Sequence, residues 1–259
     1  MRTTDMTSHP SLDAATNVQA ALLAAVVAVF IVAANVPYAW LIENFGYDDI
    51  LRESTATILR TFVKGGDALV LAWLAFAAGA LLFIPVVLAL RHLLLERGID
   101  DGGASILGVA AAVAQSTGLL RWVLVVPALA TTYADPASSE AMRAAVVATF
   151  ESNHRFGGMV IGEMVGQLLL AGWTVMTVRH LLRARLVPAW LSRAGAIVPA
   201  LWLVGQTELL HQVVPGIPSL EVAPIAFMAW EAWLVAVAGF ILLHAWRAAP
   251  SDSLTAEAH

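Results

Sequence analysis

Arg121, Glu163 and Glu231 each sit well inside an apolar run long enough to cross a bilayer. A charged side chain at such a depth costs about 2.5–3.5 kcal/mol on insertion scales, so residues of this kind face a bundle interior or a wet cavity and find partners. Arg121 is the one deep cation, and Glu163 and Glu231 are the two deep anions. Pairing Arg121 with either carboxylate leaves the other without a strong partner. A carboxyl that can hold and release a proton beside an ion pair suits a general acid or a proton-coupled carrier. These three residues are therefore the candidate catalytic set. The competing expectation is that they form a purely structural ion-pair cluster that fixes helix register.

Polar side chains accompany them. Gln167 lies four residues beyond Glu163, so the two share a helix face, and Gln206, Glu208 and His211 follow in a later run. With Trp122, Trp202 and Trp230 they form the candidate ligand-binding set, because a buried indole N–H needs an acceptor that a polar cavity supplies. Glu151 with His154, and Glu208 with His211, are Glu-x-x-His pairs. Carboxylate-bridged di-metal bundles use two such pairs, and they give a minor metal-binding alternative. Otherwise no metal or cofactor is expected. Gly158, Gly162 and Gly166 form a stripe that lets a neighbouring helix come close.

The elements that must position these residues are membrane helices. Hydrophobic residues make up 59% of 259 and charged residues 13%, against about a quarter charged in soluble domains. The mean hydropathy is +0.78. There is no cysteine, which excludes disulfides and thiolate metal sites. A net charge of −5 provides no footprint for nucleic acid.

Six runs reach the roughly 20 residues a spanning helix needs: 18–42, 67–90, 104–132, 157–182, 187–212 and 222–246. The expected fold is an all-α polytopic bundle over 18–247, with a polar tail at 1–17 and a disordered tail at 248–259. Pro37, Pro85, Pro127 and Pro199 lie inside spans and should kink them. Arg91, Arg97, Arg179, Arg183, Arg185 and Arg193 border the 2–3 and 4–5 connections, which places both termini in the cytoplasm. On this topology nearly all intramembrane polar residues fall in the outward half, and Asn35 and Asp67 end spans one and two there. The segment "SSEAMRAAVVATFESNHRF" has a Ser N-cap ahead of an apolar helical face. It is expected to form an interfacial helix or an outward extension of span four.

The segment "RARLVPAWLSRAGAIVPALWLVG" resembles the fifth-span entry of a bacterial membrane family, domain of unknown function 4386, through Leu186, Val187, Pro188, Trp190, Leu191 and Gly195. "APIAFMAWEAWLVAVAGFILL" is similar to that family's closing helix, with Pro224, Glu231 and Gly239 at corresponding places. The resemblance implies a six-span inner-membrane protein and assigns no activity.

Four functions follow as expectations. The first is an outward-facing intramembrane site for a small hydrophobic or amphipathic molecule, in contact with membrane lipids. The second is an enzyme on a lipid or isoprenoid-like substrate, with Glu163 or Glu231 as general acid. A carrier is the third, although no inverted repeat of the kind transporters show is visible. The fourth is a structural or regulatory partner.

Overall fold

The computed structural model describes residues 10–214 and 216–248. The expectations for the first nine residues and for 249–259 lie outside the described residues. Among the described residues every regular element is helical, and the chain is an all-α polytopic membrane bundle. Five stretches are long and apolar enough to cross a membrane: Asn17–Phe45, Thr55–Glu96, Ala104–Ala134, Glu140–Ala184 and Ala223–Arg247.

Two of these stretches are broken helices, with a proline just after each break. Helix α1 (Pro10–Phe45) runs unbroken through Pro37 and starts earlier than the expected span. The second crossing is α2 (Thr55–Leu81) followed by α3 (Phe83–Glu96), with Pro85 in the first turn of α3. The third is α4 (Ala104–Leu124) followed by α5 (Val126–Ala134), with Pro127 in the first turn of α5. A proline without an N–H is tolerated in a first turn, where that N–H has no intrahelical partner.

Residues 43–66, expected as a connecting loop, are mostly ordered as helix. A 3₁₀ turn at Asp49–Arg52 precedes α2, and Ser54 Oγ caps α2 by accepting from the Thr57 N–H at 3.2 Å. The chain then bends at Gly66, where φ is +56° and ψ −152°. Only glycine adopts that conformation without strain.

The fourth crossing begins outside the expected span. Ser139 Oγ accepts from the Met142 N–H at 3.2 Å and starts α6 (Glu140–Asn153). Helix α6 passes without a break into a π-helical segment, His154–Val165, and then into α7 (Gly166–Ala184). The capped segment is thus an extension of span four. The expected fifth span, 187–212, is not among the five long stretches, because it is divided between α8 (Ala189–Ala194) and α9 (Ile197–His211). A Cβ on Gly195 would lie 2.5 Å from the Trp233 ring, so the break is a close backbone approach to α10 (Ala223–Ala248), with Pro199 in the first turn after it.

The crossings pack in chain order around a closed ring. α1 lies against α2, α2 against α4, α4 against α7, α7 against α9, α9 against α10, and α10 returns to α1. Helix α3 continues the second crossing between α1 and α4 and buries Phe83, Val86, Val87, Leu90 and Leu93 on its inner face. Two apolar cores result. The larger joins α1, α3, α7, α9 and α10. The smaller, at the α6 end, joins the end of α1 with α2, Trp122, α5 and α6.

Candidate functional site

The glycine stripe of the fourth crossing sets the position of every polar group near it. Gly158, Gly162 and Gly166 all face α4, where they meet Arg121, Gly118 and Gln115 in turn. A Cβ on Gly118 would lie 2.6 Å from the Gly162 Cα, so the backbones touch and nothing larger fits. Three residues separate each of the α4 partners, which puts them on one face of that helix.

Arg121 is thereby clamped against the π-helical segment. It is only 8% exposed. One terminal N–H donates to the Gly118 carbonyl, and the other donates to His154 Nδ1 at 3.4 Å. Arg121 can only donate, so Nδ1 accepts and the His154 proton sits on Nε2. The guanidinium carbon lies 5.2 Å from the Trp122 ring centroid, within cation–π range. Its Nε–H is buried and has no partner.

Aromatic rings wall the other side. Trp122 stacks on Trp73 at 4.8 Å with 10° between planes, and Phe45 meets it edge-on at 5.5 Å. Tyr47 stands edge-on to Trp73 at 4.9 Å, and His154 stacks on Phe150 at 5.7 Å. The indole N–H groups of Trp73 and Trp122 are buried without acceptors. Three buried donors on neighbouring side chains thus have no acceptor among the described residues.

Glu163 is partly buried, and its carboxylate makes no hydrogen bond to another described residue. The charges that reach it are those of Arg121, Glu208 and Asp48. Beside it, Gln206 donates to Gln167 Oε1 at 2.7 Å and joins α9 to α7. Asp48, in the 46–48 turn, accepts from the Tyr38 hydroxyl at 3.0 Å. Burial pushes the Asp48 carboxyl up from its ordinary value of 3.8, and the Tyr38 hydrogen bond and the Arg52 charge oppose that. Burial, then the Asp48 and Glu163 charges, push the Tyr47 phenol up. Arg52 reaches Glu208 at 3.3 Å and Glu221 at 3.2 Å.

The family model for domain of unknown function DUF4386 matches residues 22–240. The chain belongs to that family. Nothing among curated proteins or among solved structures matches this DUF4386 member.

Several residues expected at one site in this DUF4386 member lie apart. Neither Glu163 nor Glu231 forms an ion pair with Arg121 among the described residues; no such contact lies within 4.0 Å. Glu231 takes its hydrogen bonds from Asn35 on α1 instead, and no charged side chain is among the groups acting on it. Trp202 and Trp230 belong to the larger core, where Trp230 Nε1 donates to Thr174 at 3.2 Å. His211 is exposed, and its ring nitrogen meets the Ile217 carbonyl at 2.6 Å.

The two Glu-x-x-His pairs do not converge. Glu151 accepts from Thr55 at 3.2 Å, His154 faces Arg121, and Glu208 is engaged by Arg52. Among the described residues no group of three His, Asp or Glu side chains is placed to hold a metal ion.

Of the expected site residues, Gln167 pairs with Gln206, Glu208 pairs with Arg52, and Arg121 and Trp122 form one aromatic cluster. Tyr38, Tyr47, Asp48, Trp73 and His154 complete it. The turn "FGYDD" carried a signal for part of this, since aromatic and acidic residues directly follow Gly46, whose φ of +71° lets the turn fold back.

Proposed function

We propose that this cluster binds a small amphipathic molecule within the bilayer. The apolar body of the ligand lies against Trp73, Trp122 and Phe45. Its head offers an acceptor to the Arg121 Nε–H and a donor to Glu163. The carrying observation is the unused Arg121 Nε–H beside two unused indole N–H groups. Burying such donors without partners costs about 1–3 kcal/mol each, and an acceptor on a ligand removes that cost. The distribution of arginines supports a plasma-membrane orientation with both termini cytoplasmic and this cluster facing outward.

The contact between Arg121 and Gly158 favours a second reading, in which Arg121 is a packing pin that holds the π-helical segment to α4. Liquid chromatography–mass spectrometry of solvent extracts from purified protein separates the two, with wild type compared to Arg121→Gln, Glu163→Gln and Trp122→Phe. Binding predicts a compound retained by the wild type and depleted about tenfold or more in a folded Glu163→Gln variant, the loss of one charged hydrogen bond. Equal extracts from all folded variants would refute the binding reading and leave the pin.

A further inference from the structure

A second feature lies at the opposite end of the bundle. An open groove of about 880 Å³ runs along α4 from Gly103 to Thr117, with Leu88 and Arg91 of α3 on one wall and Ile161 at its far end. The volume falls within the roughly 300–1,000 Å³ of small-molecule sites. We propose that this groove holds one membrane phospholipid with a zwitterionic headgroup bearing a primary ammonium, whose acyl chain lies along α4.

Length supports this occupant. Fourteen residues separate Gly103 from Thr117, about 21 Å at 1.5 Å per residue. That covers one leaflet of a hydrocarbon core of roughly 30 Å. The groove begins at a polar turn and ends level with the middle of the crossing, as a lipid does.

The walls match in character. Ile106 is 73% exposed, and Val113 and Leu88 are also open to contact. Their neighbours Ala110 and Ala114 are small, so the trough between them is smooth. At its polar end the two charges free to meet a headgroup have opposite sign. Asp101 is already occupied, because it accepts from the Ser105 N–H at 3.1 Å and from its hydroxyl. Its contact with Arg91 at 3.6 Å involves only Arg91 Nε, which leaves the terminal guanidinium donors for a phosphate. Asp100 is exposed and accepts only the Gly102 N–H at 3.3 Å, so it can take an ammonium group.

The full-length protein is purified from mixed micelles of detergent with equimolar phosphatidylethanolamine, phosphatidylglycerol and phosphatidylcholine. Retained lipid is then counted by native mass spectrometry. Phosphatidylethanolamine should exceed each of the other lipids by about three- to tenfold, the effect of one headgroup hydrogen bond. Val113→Trp should remove the bound lipid by filling the trough, and Ile106→Trp carries the same test if Val113→Trp does not fold. Arg91→Gln should lower retention, and Asp100→Asn should erase the preference for the ammonium headgroup.

Retention in the proportions of the mixture would overturn the proposal, as would a preference for phosphatidylglycerol or phosphatidylcholine. Retention that neither tryptophan substitution alters would place the lipid elsewhere and also overturn it. A lipid-free dimer disrupted by Val113→Trp would show a second copy of the chain covering the groove instead.

Discussion

Asn35 Nδ2 donates to both carboxylate oxygens of Glu231, at 3.0 and 2.9 Å, and the pair ties the first crossing to the last. The same amide also meets the Ile31 carbonyl at 3.0 Å, so Asn35 is held in place from its own helix. Glu231 is 7% exposed and lies between Trp230 and Trp233. Replacing Asn35 with Leu leaves a buried carboxyl unpaired. A double-mutant cycle of Asn35→Leu and Glu231→Leu, read by unfolding in mixed micelles, should give a coupling of about 1–2 kcal/mol, at the upper end for membrane helices. Additive single effects would show that the pair does not hold the ring closed.

The contact of α4 with the fourth crossing predicts a sharp contrast between glycines. Gly118→Ala forces a methyl group to within 2.6 Å of the Gly162 Cα, whereas a Cβ on Gly239 meets nothing within 4 Å. Overpacking of this kind costs about 1–3 kcal/mol. Gly239→Ala should be neutral or stabilising, because it also relieves the helix-propensity penalty of glycine. Thermal unfolding of the two variants beside wild type tests the contrast. Equal effects would mean that the helices are not in backbone contact.

Asp101 makes a pH-dependent contribution whose sign follows from its surroundings. Burial alone would raise its carboxyl. The hydrogen bonds from Ser105 and Gly103, with the Arg91 charge, hold it below its ordinary value of 3.8. A depressed folded-state pKa adds stability that is present above 3.8 and lost as pH falls through the folded value. Wild type should therefore lose more stability than Asp101→Asn between about pH 5 and pH 2, with the two converging at the acid end. A constant gap across that range would disprove the assignment.

Arg52 bridges Asp49, Glu208 and Glu221 but is half exposed. Arg52→Gln should cost less than about 1 kcal/mol, and the difference should shrink as salt is added. A larger, salt-insensitive loss in chemical denaturation would mean that these contacts are far better shielded than their exposure indicates.

Hydropathy revealed the crossings because each apolar run is itself the driving force. The prolines revealed their bends because a missing N–H acts locally: Pro85, Pro127 and Pro199 all sit in first turns after a break. The pairing of Gln167 with Gln206 follows the same logic, since one polar residue in an apolar run needs a partner. The separation of Glu231 from Arg121 was not legible. It depends on α10 closing against α1 at the far side of the ring, and no local pattern encodes which distant helices become neighbours. The π-helical segment escaped because glycine and apolar residues at His154–Val165 fit three- and four-residue spacing as well as a wider turn. Its selection comes from the close approach of α4. Segments of this type are rare and cluster at functional sites.

The divided fifth crossing has an effect beyond the protein. Helix α9 has 15 residues, about 22 Å at 1.5 Å per residue, against a hydrocarbon thickness of roughly 30 Å. Ile197 and Leu203 on this helix face outward, and Trp190 is exposed just before it. Only with α8 (Ala189–Ala194) added does the segment approach that thickness, so the break at Gly195 falls within its length rather than at its end. Acyl chains on this flank therefore meet a helix broken at Gly195, with apolar side chains exposed on both sides of the break.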